Sequence, residues 1–260
     1  MNELRVSLVQ SDLFWEDQQR NLKQFEEKIS CLKGETDLIV LPEMFTTGFS
    51  MKAAYLSETM DSVTVSWVKE QAKLLGAAIV GSFIASDGGK YYNRLLFVEP
   101  DGTLAYYDKR HLFSFAGEGD YFTSGGTQLI VNYKGWKIMP LICYDLRFPV
   151  WSRNTQSYDL LIYIANFPAK RSFAWKQLLT ARAIENQVYT IGVNRIGVDG
   201  KDIPYSGDSC LHDYSGQSLY DLEDQETITT ATLSYQKQQH FRAQFAFLQD
   251  GDFFDFKGSK

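Results

Sequence analysis

Residues 138–149 read Ile-Met-Pro-Leu-Ile-Cys-Tyr-Asp-Leu-Arg-Phe-Pro. The apolar run predicts a buried strand that stops at Cys143, where charge begins with Asp145 and Arg147. Pro149 then opens a stretch, 149–155, that predicts a helix. A thiol at the carboxyl end of a strand, beside a tight turn, occupies the place where open α/β sheets put their chemistry. Backbone N–H groups and the positive end of a following helix favour a thiolate there. By itself the stretch favours a small buried hydrophobe, the ordinary role of a free cysteine.

Outward from this strand, the chain alternates between the two periodicities. Residues 5–10, 37–41, 77–84, 91–98, 103–107, 128–133, 136–143, 159–165, 189–195, 206–213 and 227–233 predict strands. Residues 16–32, with Leu22, Phe25, Ile29 and Leu32 on one face, predict a helix, as do 61–75, closed by Gly76, and 171–187. Glu99-Pro100-Asp101-Gly102 marks a hairpin turn. Residues 111–126 form a long loop rich in Gly and aromatics, the kind that carries function. Residues 238–260 form an aromatic tail without a regular core pattern. Its stretch 245–256 is expected to pack along the body or across a subunit interface, because one apolar patch of that size is costly to expose. No linker or low-complexity break interrupts the chain, so residues 1–260 read as one α/β domain with a mixed sheet or two packed sheets.

Composition limits the partners. The 260 residues contain 44% hydrophobic and 15% aromatic side chains, enough for a sizeable core. A net charge of −6 argues against nucleic acid and anionic membranes. Three scattered cysteines, Cys31, Cys143 and Cys210, make neither a disulfide scaffold nor a CxxC zinc pair, so no metal and no cofactor are expected. The N-terminus lacks the basic and apolar segments of a signal peptide, and no run is long enough to span a membrane. A reducing cytoplasm is the expected location.

Two further groups fall near predicted strand ends: Glu43 in Leu41-Pro42-Glu43 and Lys109 in Asp108-Lys109-Arg110-His111-Leu112-Phe113. These two motifs, followed by Ile142-Cys143-Tyr144-Asp145-Leu146-Arg147-Phe148-Pro149, resemble in content and order the three signatures of the nitrilase superfamily of carbon–nitrogen hydrolases. The resemblance extends from Arg5 to about Leu233, with Gly117-Glu118 in the intervening loop. It implies a four-layer α-β-β-α sandwich with two mixed sheets, dimerised through a helical layer.

The resemblance also implies a Glu43, Lys109 and Cys143 triad. Glu43 would take the thiol proton and return it to the leaving amine. Lys109 and the backbone N–H of Tyr144 would meet the oxyanion. Glu118 matches the family's second glutamate, which orients the lysine or assists water. Asp145 and Arg147 are expected to pair and brace the turn, with Arg147 able to face the pocket, and His111 to bond structurally. A Cys–His mechanism through His111, His212 or His240 is the weaker alternative.

Residues 165–172, Trp175, 179–187, 193–197 and 205–209, together with 41–51, are similar to the bacterial omega-amidase branch, which acts on 2-oxoglutaramate or 2-oxosuccinamate. Such a substrate carries a carboxylate remote from the scissile amide, and an acidic protein needs a cation to hold it. Arg171 is the candidate clamp, with Lys170 as its competitor and Asn166, Phe49 and Trp175 as walls. Another short-chain amidase or carbamoyl-amide hydrolase, and a non-catalytic binding protein of the same fold, are the rival expectations.

Overall fold

The computed structural model describes residues 3–252 and 254–256. Its first half runs β1 (Glu3–Gln10), α1 (Gln18–Ile29), β2 (Leu38–Val40), α2 (Ala53–Leu56), α3 (Val63–Leu75), β3 (Ala78–Asp87), β4 (Lys90–Val98) and β5 (Leu104–Asp108). The second half begins with β6 (Val131–Tyr133), β7 (Trp136–Ile142), β8 (Leu160–Ala165), α4 (Ser172–Asn186) and β9 (Tyr189–Asn194). It closes with β10 (Ile196–Val198), β11 (Pro204–Ser206), β12 (Cys210–His212), β13 (Ser218–Asp221), β14 (Thr227–Ser234) and α5 (Tyr235–Gln244).

Twelve of these strands make two six-stranded sheets, ordered β14-β1-β2-β3-β4-β5 and β13-β12-β9-β8-β7-β6, and β10 and β11 pair separately. Each six-stranded sheet has a parallel trio at its centre, β1-β2-β3 or β7-β8-β9, and antiparallel strands on either side. Strand periodicity explains the layering. Val6, Leu8, Leu38, Val40, Ala78, Val80, Leu95 and Phe97 face the second sheet and share one core with its strands. Val9, Ile39, Ile79, Leu96 and Val98 point the other way, into a second core under α1 and α3. Both faces of the first sheet are thus buried, and α4 covers the outer face of the second. The architecture is the expected four-layer sandwich of two mixed sheets.

Local signals set the helix ends. The Ser62 side chain accepts from Val65 N at the start of α3, and Gly76 closes it in the left-handed conformation. Asp17 caps α1 through Arg20 N.

Several expectations change. Residues 149–155 form turns, and the helical segment is the tight 3-10 turn Cys143–Arg147. Side chains take over the backbone groups of the loop: Asn154 Nδ2 donates to Tyr158 O, and Asn154 Oδ1 accepts from Tyr158 N. The predicted strand over 206–213 splits at Gly207 and Asp208, both at positive φ. Residues 235–244 form α5, inside part of the expected tail. The helix escaped notice because Gln238 is its buried residue and docks it by donating to Asp159 O. Beyond α5, Phe245 contacts Phe241, and Phe256 packs edge-on against Trp151 at 4.8 Å, so this stretch lies along the body. The tail's residues 253 and 257–260 lie outside the described residues. No helix among the described residues is long and apolar enough to cross a membrane.

Candidate active site

The carboxyl ends of four strands converge on one cluster. Glu43 follows β2, Lys109 follows β5, Cys143 follows β7 and Asn166 follows β8. The 111–126 loop brings Glu118 in beside them. Gly125 permits its return: a Cβ there would stand 2.1 Å from Asp108 O, and Gly125 N donates to Lys109 O.

Lys109, Glu43 and Glu118 are all fully buried. Lys109 Nζ donates to Glu43 Oε1 at 2.9 Å and to both Glu118 oxygens at 3.0 Å. Asn93 Nδ2 donates to the same Glu43 oxygen at 2.8 Å, and Asn166 N to the other at 2.7 Å. Phe113 N donates to Glu118 Oε2. Each carboxylate is therefore held by more than one donor, which is what makes burial of its charge tolerable.

Electrostatics follows from this packing. Burial opposes the charge of Lys109, but Glu118 and Glu43 outweigh it and hold the ammonium well above its ordinary pKa. Burial raises Glu118, with Lys109 opposing and Glu43 adding to the rise. Cys143 is partly open to a pocket, yet its thiol is densely surrounded. Burial and then the charge of Glu43 push the thiol well above its ordinary value, against the pull of Lys109. This environment favours the thiol form of Cys143, beside a carboxylate.

Cys143 has φ +43°, in the region non-glycine residues rarely adopt. A buried Asp145 holds that turn. It accepts from Tyr107 OH at 2.8 Å, from Ile142 N at 3.1 Å and from His111 N at 3.0 Å, and its Oδ1 lies 2.8 Å from His111 Nδ1. The expected Asp145–Arg147 pair is replaced by Tyr107 and His111, which reach Asp145 from the neighbouring sheet and loop. Arg147 turns instead toward the pocket, over the Phe167 ring. His111 stacks on Phe148, which keeps its ring at the turn. His212 lies beside Cys210, in another part of the sheet.

A pocket opens at Cys143. Cys143, Lys109 and Asn166 form its polar end, and Phe49, Phe113, Tyr144 and Phe167 its walls. Phe49 sits 5.0 Å from Lys109 Nζ. Tyr144 N–H lies in the first turn of the 3-10 segment, where N–H groups lack partners within the helix. Arg171 lines the pocket with its guanidinium 4.9 Å from the Phe113 ring, while Lys170 is exposed and outside the lining. Trp175 is corrected from a wall to a support. It is fully buried behind Phe167, 5.1 Å ring to ring, and donates to Asp208 O.

Sequence reasoning missed Asn93 and the β10–β11 hairpin residues Asp199, Lys201, Ile203 and Tyr205, and it favoured bracing over pocket lining for Arg147. Asn93 carried a faint signal, an amide in a strand rich in apolar and aromatic residues. The hairpin carried none in its periodicity.

The carbon-nitrogen hydrolase family profile matches residues 5–243. The chain belongs to the carbon–nitrogen hydrolase family. It is 46% identical to omega-amidase YafV of Escherichia coli (strain K12), over 98% of this chain and 99% of the relative. It is 32% identical to the 2-oxoglutaramate amidase of Bacillus subtilis (strain 168), over 94% of this chain and 96% of that one. Among solved structures, the carbon–nitrogen hydrolase XC1258 of Xanthomonas campestris, which has an arsenic adduct in its active site, superposes with a TM-score of 0.97 at 44% identity. That match covers 99% of this chain and all of the other. Nit3 of Saccharomyces cerevisiae, a nitrilase-superfamily member, follows at a TM-score of 0.86 and 26% identity, covering 94% of each chain.

Proposed function

We propose that this carbon–nitrogen hydrolase is an omega-amidase, releasing ammonia from the terminal amide of a 2-oxo dicarboxylic acid monoamide such as 2-oxoglutaramate. The observation that carries the reading is one pocket lined by two kinds of group. A thiol beside buried Glu43 and Lys109 faces it, and the guanidinium-bearing side chains of Arg147 and Arg171 line the same pocket. An amide and a remote carboxylate on one small molecule match that pairing. The full-length similarity to omega-amidase YafV supports the same substrate class.

In this mechanism Glu43 takes the Cys143 proton as sulfur attacks the amide carbon, since the thiol is held protonated at rest. Lys109 Nζ and Tyr144 N–H stabilise the oxyanion. Glu43 returns the proton to nitrogen, the C–N bond breaks and ammonia leaves a thioester on Cys143. Water then attacks that carbonyl, giving its proton to Glu43, and the C–S bond breaks to release the acid and restore the thiol. Glu118 fixes the lysine by accepting two of its hydrogen bonds. Phe49 and Asn166 shape the amide end, and Arg171 with Arg147 holds the carboxylate. The exposed apolar side chains Phe173 and Ile184 on α4 suit a homodimer contact, and the free cysteines suit a reducing cytoplasm.

Ammonia release from 2-oxoglutaramate and from glutamine tests the assignment. The expected outcome is a kcat/KM for the oxo acid amide at least about tenfold higher, the worth of one well-placed polar contact. Equal rates, or preference for glutamine or a carbamoyl amine, would sink the omega-amidase reading.

A further inference from the structure

The second sheet carries another cluster of donor groups, away from the pocket at Cys143. Cys210 and His212 stand two residues apart on β12, and Asp221 of β13 is the direct cross-strand partner of Cys210. On the other side of β12, Cys210 pairs with Gly192 of β9. A Cβ on Gly192 would strike Leu179 and Trp175, so this face of the sheet lies tight under α4. Cys210 Sγ, a ring nitrogen of His212 and a carboxylate oxygen of Asp221 lie within 4.8 Å of one another. Cys210 and His212 are buried, whereas Asp221 is exposed and leaves a way in from solvent.

The hydrogen bonds of Thr180 identify which nitrogen is available. Its hydroxyl has one proton, which it donates to Lys176 O at 3.0 Å. The same oxygen lies 3.0 Å from His212 Nε2, so it accepts there, and Nε2 carries the ring proton. Nδ1 is left with a bare lone pair, buried and without a hydrogen-bond partner among the described residues. A histidine whose N–H is fixed by an oxygen while its other nitrogen is buried without a hydrogen-bond partner has the arrangement of a metal ligand.

We propose that Cys210, His212 and Asp221 form a binding site for one divalent transition-metal ion of the zinc class. The ligand set of one sulfur, one nitrogen and one oxygen suits zinc or cobalt and disfavours magnesium or calcium. On binding, the Cys210 thiol releases its proton to solvent and the S–H bond is replaced by a sulfur–metal bond. The thiolate and carboxylate then cancel the charge of the ion, so a neutral set is buried. Bond lengths of about 2.0–2.3 Å require the donors to close by roughly an ångström, which the exposed Asp221 side chain can supply. Lys176, the nearby cation, is already engaged with Asp208 Oδ1 at 2.6 Å. The ion would tie the exposed edge strand β13 to β12. The competing partner for Nδ1 is a water molecule.

Titration of the metal-free full-length protein with Co²⁺ tests the site. The expected result is one ion per chain with a thiolate-to-cobalt charge-transfer band, unchanged in Cys143→Ser, abolished in Cys210→Ser and weakened at least tenfold in Asp221→Asn. Zn²⁺ at one hundred times its Kd should raise Tm by about 5 °C in the wild type and not in Cys210→Ser. A band lost in Cys143→Ser and kept in Cys210→Ser would place the metal at the other thiol and overturn the proposal. Absence of any band would leave water as the occupant. Asp221 is exposed, so its variant keeps the test valid if Cys210→Ser does not fold.

Discussion

Two enclosed thiols in the same sheet invite comparison. Burial raises the pKa of both Cys143 and Cys210, and each has a lysine and a carboxylate nearby. Cys210 lies within a strand, beneath a helix, with Lys176 still 45% exposed. Cys143 stands one residue past a strand end, at positive φ, facing a pocket, with fully buried Lys109 and two carboxylates fixed around it. Burial and a raised pKa therefore do not single out a nucleophile. What separates the two is the strand end, which clears space for a substrate, and charges that have no freedom to reorganise.

The largest effect should come from Cys143. Cys143→Ser should lower kcat for amide hydrolysis by roughly 10³-fold or more while leaving stability within about 1 kcal/mol. Near-normal turnover in a steady-state ammonia assay would remove the functional side of the contrast. The lysines provide the next test. Lys109→Ala strands two buried carboxylates and should cost about 3–5 kcal/mol in denaturant unfolding. Lys176→Ala breaks a half-exposed pair and should cost at most about 1 kcal/mol. Similar losses would show that the two charge environments are alike after all.

The smallest effect concerns what the thiols share. A thiol whose folded pKa lies above its unfolded value stabilises the fold fully below the unfolded pKa, and that stabilisation is lost as pH rises through the folded one. Stability should therefore decline above the ordinary thiol value of 9.0, before tyrosines join at 10.0. Cys143→Ala and Cys210→Ala should each flatten the decline measured by urea unfolding between those two pH values. If only one does, the shared burial is the weaker description.

Apolar runs made the central strands legible, because a strand buried on both faces has few other ways to read. Glu43, Lys109 and Cys143 were legible as a set through their motifs, but their meeting was not, since Glu43 and Lys109 are 66 residues apart. Residues acting through polar contacts stayed hidden. Gln238 docks α5 with an amide where periodicity looks for an apolar stripe, and Asp145 finds Tyr107 and His111 where proximity suggested Arg147. Cys210, His212 and Asp221 lack familiar ligand spacing because strand register, which sequence does not display, brings them together.

The bond from Asn166 N to Glu43 joins residues 123 apart, one after a strand of each sheet. Neither sheet alone contains the site, so it is complete only when both have formed and docked. Contacts so distant along the chain are slow to close. A partly folded chain has its cysteine but lacks the fixed carboxylate beside it, so the reactive arrangement is withheld until the sandwich is complete.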